Sequence, residues 1–327
     1  MCGIVGFLDK TKNERAEAGQ TIFKMLVALS RRGPDSAGVA IYSHSHDGDL
    51  VLRIKLGEQE EQATFPEQQP FAQYPPRSTP RRGVQGSTEK GVQIVKRVQN
   101  LGTVGEVSTT AEYLRLVLDY AGDPRQLERL IEASDKEVEV VSMGRNLEIV
   151  KQVGSPENLE AVYGVSKFVG SHGIGHTRLS TESRIDLSHS QPFWAHGYPD
   201  LATVHNGHIT NYHKLRRRYE QRGVKFYTEN DSEIIGIYLA EKLSQGRTLE
   251  EALRASLDFF DGSFSYFAAT PDELGFARDP FALKPLLFTE TDTFVALANE
   301  EIAIRAAFAG DYEVREAGAN EVRVWRR

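Results

Sequence analysis

Few folds have a use for a reactive group at the very start of a chain, and this one begins Met1-Cys2-Gly3-Ile4-Val5-Gly6-Phe7. Cys2 is the only cysteine in 327 residues. Removal of Met1, which a small second residue permits, leaves one residue with both a thiol and an α-amine. An α-amine titrates at about 7.7–8.0, so part of it is free base at neutral pH. Nucleophile and general base then sit on one residue, with no histidine required. The apolar, β-branched run Ile4-Val5-Gly6-Phe7 reads as a strand, which would pin an end that in most domains frays. The competing reading is a small buried residue in a first strand, because free cysteine packs as a small hydrophobe.

Composition limits the setting. Hydrophobic residues make up 40% and charged residues 26%, the profile of a globular protein of about two domains, or of one large domain with an insertion. No apolar run approaches the roughly 18 residues of a membrane span, and charges from Asp9 onward break any signal-peptide pattern. A single cysteine forms no internal disulfide, which points to a reducing, cytoplasmic setting. With 39 basic against 46 acidic residues the net charge is −7, unlike a general nucleic-acid binder.

The patterning gives a mixed α/β chain. Ile22, Met25, Leu26 and Leu29 follow helical spacing, and the helix stops at Arg31-Arg32-Gly33-Pro34. Strands are expected at Gly38–Tyr42 and Leu50–Ile54. Residues 57–91, rich in Glu, Gln and then Pro and Arg, read as an extended loop. Beyond it, 92–165 reads as an inserted α/β subdomain. It holds a strand at Gln93–Val98, a helix at Ala111–Tyr120, and a helix opened by Asp123-Pro124. A hairpin is expected around Gly144-Arg145-Asn146, and a short helix from Ser155-Pro156. Asp231 reads as the cap of a helix over Glu233–Gln245, and Thr248-Leu249-Glu250-Glu251 as a capping box.

Six segments carry the chemistry: Cys2-Gly3-Ile4-Val5-Gly6, Arg32-Gly33-Pro34-Asp35-Ser36-Ala37-Gly38, Gly175-His176-Thr177-Arg178-Leu179-Ser180-Thr181, His205-Asn206-Gly207-His208-Ile209, Asn230-Asp231-Ser232-Glu233, and Ala277-Arg278-Asp279-Pro280-Phe281-Ala282-Leu283-Lys284-Pro285-Leu286. As an ordered set they resemble the class II glutamine amidotransferases, which are N-terminal-nucleophile hydrolases. The resemblance covers about 1–56 and 170–327. Ser190-Gln191-Pro192 before His205-Asn206-Gly207 looks most like the glutaminase part of glutamate-synthase-like enzymes, such as the amidotransferase subunit of N-methylglutamate synthase.

The resemblance implies a four-layer αββα sandwich, with 1–56 and 166–327 as a discontinuous amidotransferase domain around the insertion. It implies hydrolysis of L-glutamine to glutamate and ammonia through a Cys2 thioester. The ammonia would pass to a partner synthase subunit on another chain, by resemblance one containing FMN. Asn206 and Gly207 match the oxyanion hole, Arg32 a residue that positions the N-terminus, and Arg178, Thr181 and Asp231 the glutamine-binding residues. A planar guanidinium at Arg178 suits a bidentate grip on a carboxylate. Leu179 and Glu182 depart from the Trp and His that many members carry, which alters the pocket walls. His44-x-His46 and His205-x-x-His208 lack a neighbouring Cys or carboxylate cluster, so no metal is expected, and no cofactor on this chain. Two other readings remain: a catalytically weak regulatory subunit of such a complex, and a hydrolase of another γ-glutamyl amide.

Overall fold

The computed structural model describes residues 2–13, 15–43, 49–58, 83–180 and 184–327. In chain order its elements are β1 (Gly3–Asp9), α1 (Ala18–Ala28), β2 (Ser36–Tyr42), β3 (Leu50–Lys55), α2 (Gly83–Val98), β4 (Thr103–Thr110), β5 (Tyr113–Asp119) and α3 (Pro124–Glu132). Next come β6 (Glu139–Gly144), β7 (Leu147–Val153), α4 (Pro156–Tyr163), β8 (His172–Arg178), β9 (Phe193–Trp194), β10 (Ala202–Ile209), α5 (Tyr212–Glu220), α6 (Glu233–Ser244) and α7 (Leu249–Leu257). The chain closes with β11 (Gly262–Ala269), β12 (Glu273–Arg278), β13 (Leu287–Glu290), β14 (Phe294–Ala298), α8 (Glu301–Ala307), β15 (Arg315–Glu316) and β16 (Val322–Arg326).

Alternation along the strands builds four layers. A seven-stranded sheet runs β15-β13-β14-β1-β8-β2-β7, and a five-stranded sheet runs β16-β12-β11-β10-β9. In β1, Ile4 and Leu8 join a core shared with Val204, Phe267 and Phe276 of the second sheet. The alternate residues Val5 and Phe7 pack with Ile22, Met25 and Leu26 of α1 and Ile304 of α8. In β11, Phe267 and Ala269 face the first sheet, while Phe264 and Tyr266 pack beneath α5, α6 and α7. Successive side chains point to opposite faces of a strand, so strands covered on both sides are apolar throughout. This is the αββα sandwich expected of an N-terminal-nucleophile hydrolase.

A third sheet, β4-β5-β3-β6, carries α2 and α3 and shares the inter-sheet core through Leu52, Leu116 and Met143. β3 belongs to this sheet, whereas β7 pairs with β2 in the seven-stranded one. Three local expectations differ from the structure. Gln93–Val98 is the end of α2, where Ile94 and Val98, four residues apart, are buried on one face. The expected helix over Ala111–Tyr120 is strand β5: Leu114, Leu116 and Leu118, two apart, are buried on one face, and the buried Tyr113 and Val117 on the other blur that alternation in the sequence. The turn at Gly144-Arg145-Asn146 joins no hairpin: β6 pairs with β3 and β7 with β2, and the Asp200 carboxylate takes the Arg145, Asn146 and Leu147 N–H groups as the chain crosses between sheets. Of the expected loop over 57–91, residues 59–82 lie outside the described ones and Gly83 opens α2. Among the described residues no helix is long and apolar enough to cross a membrane.

Two histidines of β8 are buried in this frame. His172 contacts Ser171 Oγ and the Thr270 carbonyl at 2.8 and 2.7 Å, and burial holds it down at about 4. Burial, with Arg178 adding to it, holds His176 at about 3. An unfolded histidine titrates near 6.5, so between these values the unfolded chain binds the extra protons and stability is lost as pH falls below about 6.5. Urea unfolding at pH 7 and pH 5 is expected to show this loss, and His172→Gln to shrink the difference between the two pH values.

Candidate active site

Cys2 stands at the open end of the central strand. The β1–β8 register sets Gly3 against Thr177 and Ile4 against His176. A Cβ on Gly3 would lie 2.5 Å from Thr177 Oγ1 and 3.0 Å from Leu29 Cβ, so only glycine lets the strand lie this close behind the thiol. Cys2 Sγ is 3.9 Å from the Leu179 carbonyl. Burial raises the thiol above its ordinary value, and the positive charges of Arg178 and Arg32 offset part of that rise.

Arg32 and Asn299 fasten the backbone on either side of the Cys2–Gly3 peptide. Arg32 Nε donates to the Cys2 carbonyl at 3.3 Å, and its guanidinium is paired with Glu300. Asn299 Nδ2 donates to the same carbonyl at 2.9 Å, while its Oδ1 accepts the Ile4 N–H at 3.1 Å. The β14 register ends at Val5 opposite Ala298, with one further main-chain bond from the Asn299 N–H to the Ile4 carbonyl at 3.2 Å. The fully buried amide of Asn299 therefore continues the ladder one step further toward the thiol. Nothing in the local sequence marks Asn299, which stands between strand β14 and the Glu300 cap of α8.

Arg178 ends β8, buried, with Nη1 donating to the Arg184 carbonyl at 2.7 Å. Asp35 clasps the same turn: its N–H donates to the Arg178 carbonyl at 3.0 Å, and its carboxylate accepts the Ser180 N–H at 2.7 Å. Thr181 and Glu182 lie outside the described residues, as do Met1, His44 and His46.

Asn206 and Gly207 come from the other sheet, on β10. His176 of β8 reaches across with Nε2 3.3 Å from the His205 carbonyl, immediately before Asn206. Asn206 is buried and its Nδ2 has no hydrogen-bond partner among the described residues. A buried amide donor without an acceptor costs about 1–3 kcal/mol, which makes it a candidate for a ligand oxygen. Gly207 has φ +139°, and a Cβ there would lie 2.2 Å from the Ser263 carbonyl, so the bend after Asn206 requires glycine. Beneath them, Gln191 Oε1 accepts the His205 N–H at 2.6 Å and Ser232 Oγ meets His205 Nδ1 at 2.8 Å. Burial holds His205 below the usual imidazole value.

Asp231 does not cap α6; Ser232 occupies that position. Its Oδ2 accepts the Ile209 N–H at 2.7 Å, fixing the end of β10, and its Oδ1 lies 3.8 Å from His205 Nδ1. The structure thus joins Arg32 to Cys2 by a hydrogen bond, sets Arg178 near enough for its charge to act on the thiol, and links Asn206 to Asp231 through His205. Among the described residues one trio offers ligand atoms within 4.8 Å of one another for a metal, Glu128, Glu132 and His196, and it does not include Cys2.

The role of Asn299 can be read on the thiol itself. Asn299→Ala removes both contacts, and Asn299→Asp keeps the acceptor for Ile4 but not the donor to Cys2. Both are expected to lower stability by about 1–3 kcal/mol and to quicken alkylation of the sole cysteine as its burial is relaxed. Denaturant unfolding and intact-mass kinetics with iodoacetamide measure the two effects.

Comparison with known proteins bears on the family and the fold. Residues 176–306 match the model of a glutamine amidotransferase domain family. A putative glutamine amidotransferase of Methanothermobacter thermautotrophicus is 34% identical over 99% of both chains. The glutamine amidotransferase-like protein GlxB of Rhizobium meliloti is 33% identical over 93% of this chain and 91% of its own length. Among solved structures, the glutamine phosphoribosylpyrophosphate amidotransferase of B. subtilis superposes with a TM-score of 0.58 at 20% identity, a likeness of fold. The match takes in 99% of this chain and 47% of that one, so the chain spans about half the length of that enzyme. With its first strand ending in the thiol and its two facing sheets, the chain belongs to the class II glutamine amidotransferases.

Proposed function

We propose that this protein hydrolyses L-glutamine to glutamate and ammonia, with Cys2 as nucleophile. The observation that carries the reading is the placement of a lone, half-buried thiol at the end of a central strand, between the charges of Arg178 and Arg32. Burial keeps the thiol protonated at neutral pH, so attack needs a base. With Met1 removed, the α-amine of Cys2 is that base.

The steps use this chain's own groups. Arg178 binds the glutamine α-carboxylate, Asp231 the α-ammonium, and Thr181 contributes to the same pocket. The Cys2 sulfur attacks the side-chain amide carbon as its proton passes to the α-amine. The carbonyl oxygen becomes an oxyanion that accepts from Asn206 Nδ2 and the Gly207 N–H; the unpaired amide of Asn206 supports this role. Donors placed in advance at such an oxygen commonly supply about 3–4 kcal/mol. The intermediate collapses as the α-ammonium returns the proton to the leaving nitrogen. Ammonia departs and a γ-glutamyl thioester remains, which water hydrolyses to glutamate and the free thiol. Arg32 keeps the N-terminus in register throughout. The ammonia passes to a synthase subunit on another chain, for which an FMN-containing glutamate-synthase-like partner is our proposal.

The purified chain is expected to release glutamate and ammonia in equal amounts from glutamine, with intact mass showing loss of Met1. Cys2→Ala abolishes turnover, and Asn206→Ala lowers kcat by about 10²–10³-fold with little change in KM. Arg178→Met raises KM steeply. Turnover that survives Cys2→Ala, or active protein that retains Met1, defeats the mechanism. A chain that binds glutamine without turning it over is instead a regulatory subunit.

A further inference from the structure

Helix α3 leaves the four-stranded layer with two carboxylates four residues apart, hence on one face. Glu128 Oε1 accepts from His196 Nδ1 at 2.6 Å, and the Tyr227 hydroxyl lies 2.8 Å from both Glu128 Oε1 and Glu132 Oε2. Lys225 Nζ lies 2.9 Å from Glu132, and the His196 and Tyr227 rings stack with centroids 3.7 Å apart. A phenol has one proton and serves one carboxylate at a time. His196 and Lys225 leave each carboxylate another donor, so the hydroxyl is shared without stranding either. From Tyr227 the chain reaches Asp231 in four residues. Along that path the Glu233 carboxylate takes the Tyr227 N–H at 2.8 Å, the Thr228 N–H at 3.0 Å and the Thr228 hydroxyl at 2.9 Å. The stretch that leads to Asp231 is therefore anchored by α6 on one side and by α3 on the other.

We propose that α3 braces the amine-binding side of the glutamine pocket, with Glu128 and Tyr227 as positioning residues that fix the 227–231 segment and so the Asp231 carboxylate. The motif-free four-stranded layer then governs how tightly glutamine is held and leaves the thiol chemistry alone. The inference rests on the reading of Asp231 as the ammonium-binding group. A divalent cation on Glu128, Glu132 and His196 is the rival reading, since their ligand atoms lie within 4.8 Å of one another. The contacts of 2.6 and 2.8 Å are hydrogen-bond lengths. Ligand edges around a tetrahedral metal with bonds of about 2.0–2.1 Å would be about 3.3 Å, and Lys225 already brings a positive charge to Glu132.

Tyr227→Phe removes only the hydroxyl, and Glu128→Gln keeps the side chain's shape. In steady-state assays of the full chain each is expected to raise KM for glutamine by about three- to tenfold with kcat within about twofold. The double variant is expected to fall short of the product of the two single effects, because the Tyr227–Glu128 contact is common to both. Hydrogen exchange of the amides of 228–233 should quicken in the same variants. That second measurement needs no turnover. If wild-type protein fails to hydrolyse glutamine, the substrate reading falls while exchange still decides the brace. Unchanged exchange, a fall in kcat at constant KM, or additive effects in the double variant overturn the proposal. So does stoichiometric zinc or manganese in the purified protein whose removal by a chelator quickens exchange in 228–233.

Discussion

The sole cysteine is carried by β1, held on one side by β8 and on the other by β14. Ordering a residue's backbone costs about 1–2 kcal/mol, and a chain end normally escapes that cost by fraying. Here it is offset by two ladders of backbone hydrogen bonds and by burial of Ile4, Val5, Phe7 and Leu8 on both faces. β1 is the middle strand of seven, so Cys2 stands at the end of a strand paired on both sides. The last stretch before the thiol outruns β14, and there Asn299, Arg32 and Glu300 take over from the sheet. A side-chain amide that offers a donor and an acceptor can stand in for a strand residue, as Asn299 does toward Cys2 and Ile4.

The charge distribution has its origin in the same packing. His176 and His205 are buried, and both are held neutral by desolvation. They serve as hydrogen-bonding spacers between the sheets rather than as proton carriers. The permanent positive charges near Cys2 belong to Arg178 and Arg32, which keep their protons at every accessible pH. The side chains that act on the half-buried thiol are those two arginines, and neither is a base. That is the physical reason for assigning proton removal to the α-amine.

Much of the scaffold was legible in the sequence because its strands and caps obey local rules. The Ile4–Phe7 strand, the α1 spacing and the Thr248–Glu251 capping box all form where local pattern puts them. The misreadings arose where tertiary surroundings override local pattern. In β5 Leu114, Leu116 and Leu118 share one buried face while Tyr113 and Val117 are buried on the other beside Arg115, and in a single sequence such a mixed run is not separated from a helix. Asp231 before Ser-Glu-Ile-Ile has the grammar of a cap, yet the nearest N–H it satisfies is that of Ile209, on a strand 22 residues earlier. Asn299 was invisible for the same reason: its partners lie nearly 300 residues away in sequence.

The four-stranded layer carries none of the motifs, yet it touches both loops that lead to the site. Glu58 and Glu139, flanking it, hold the Ser188 hydroxyl, and Glu58 also takes the Leu187 N–H at 3.0 Å. Arg184, four residues before Ser188, offers its carbonyl to Arg178. Glu128 and Glu132 hold Tyr227 on the approach to Asp231. Burial alone would raise the Glu139 carboxyl, but the charges of Lys55 and Lys151 bring it down to about 2. A carboxylate that stays ionised in a buried place needs partners that stay put, because removing one leaves an uncompensated charge. The layer is thus bound to both loops by contacts that are costly to break. A shift of this layer would move the residues proposed to hold the α-carboxylate and the α-ammonium of glutamine.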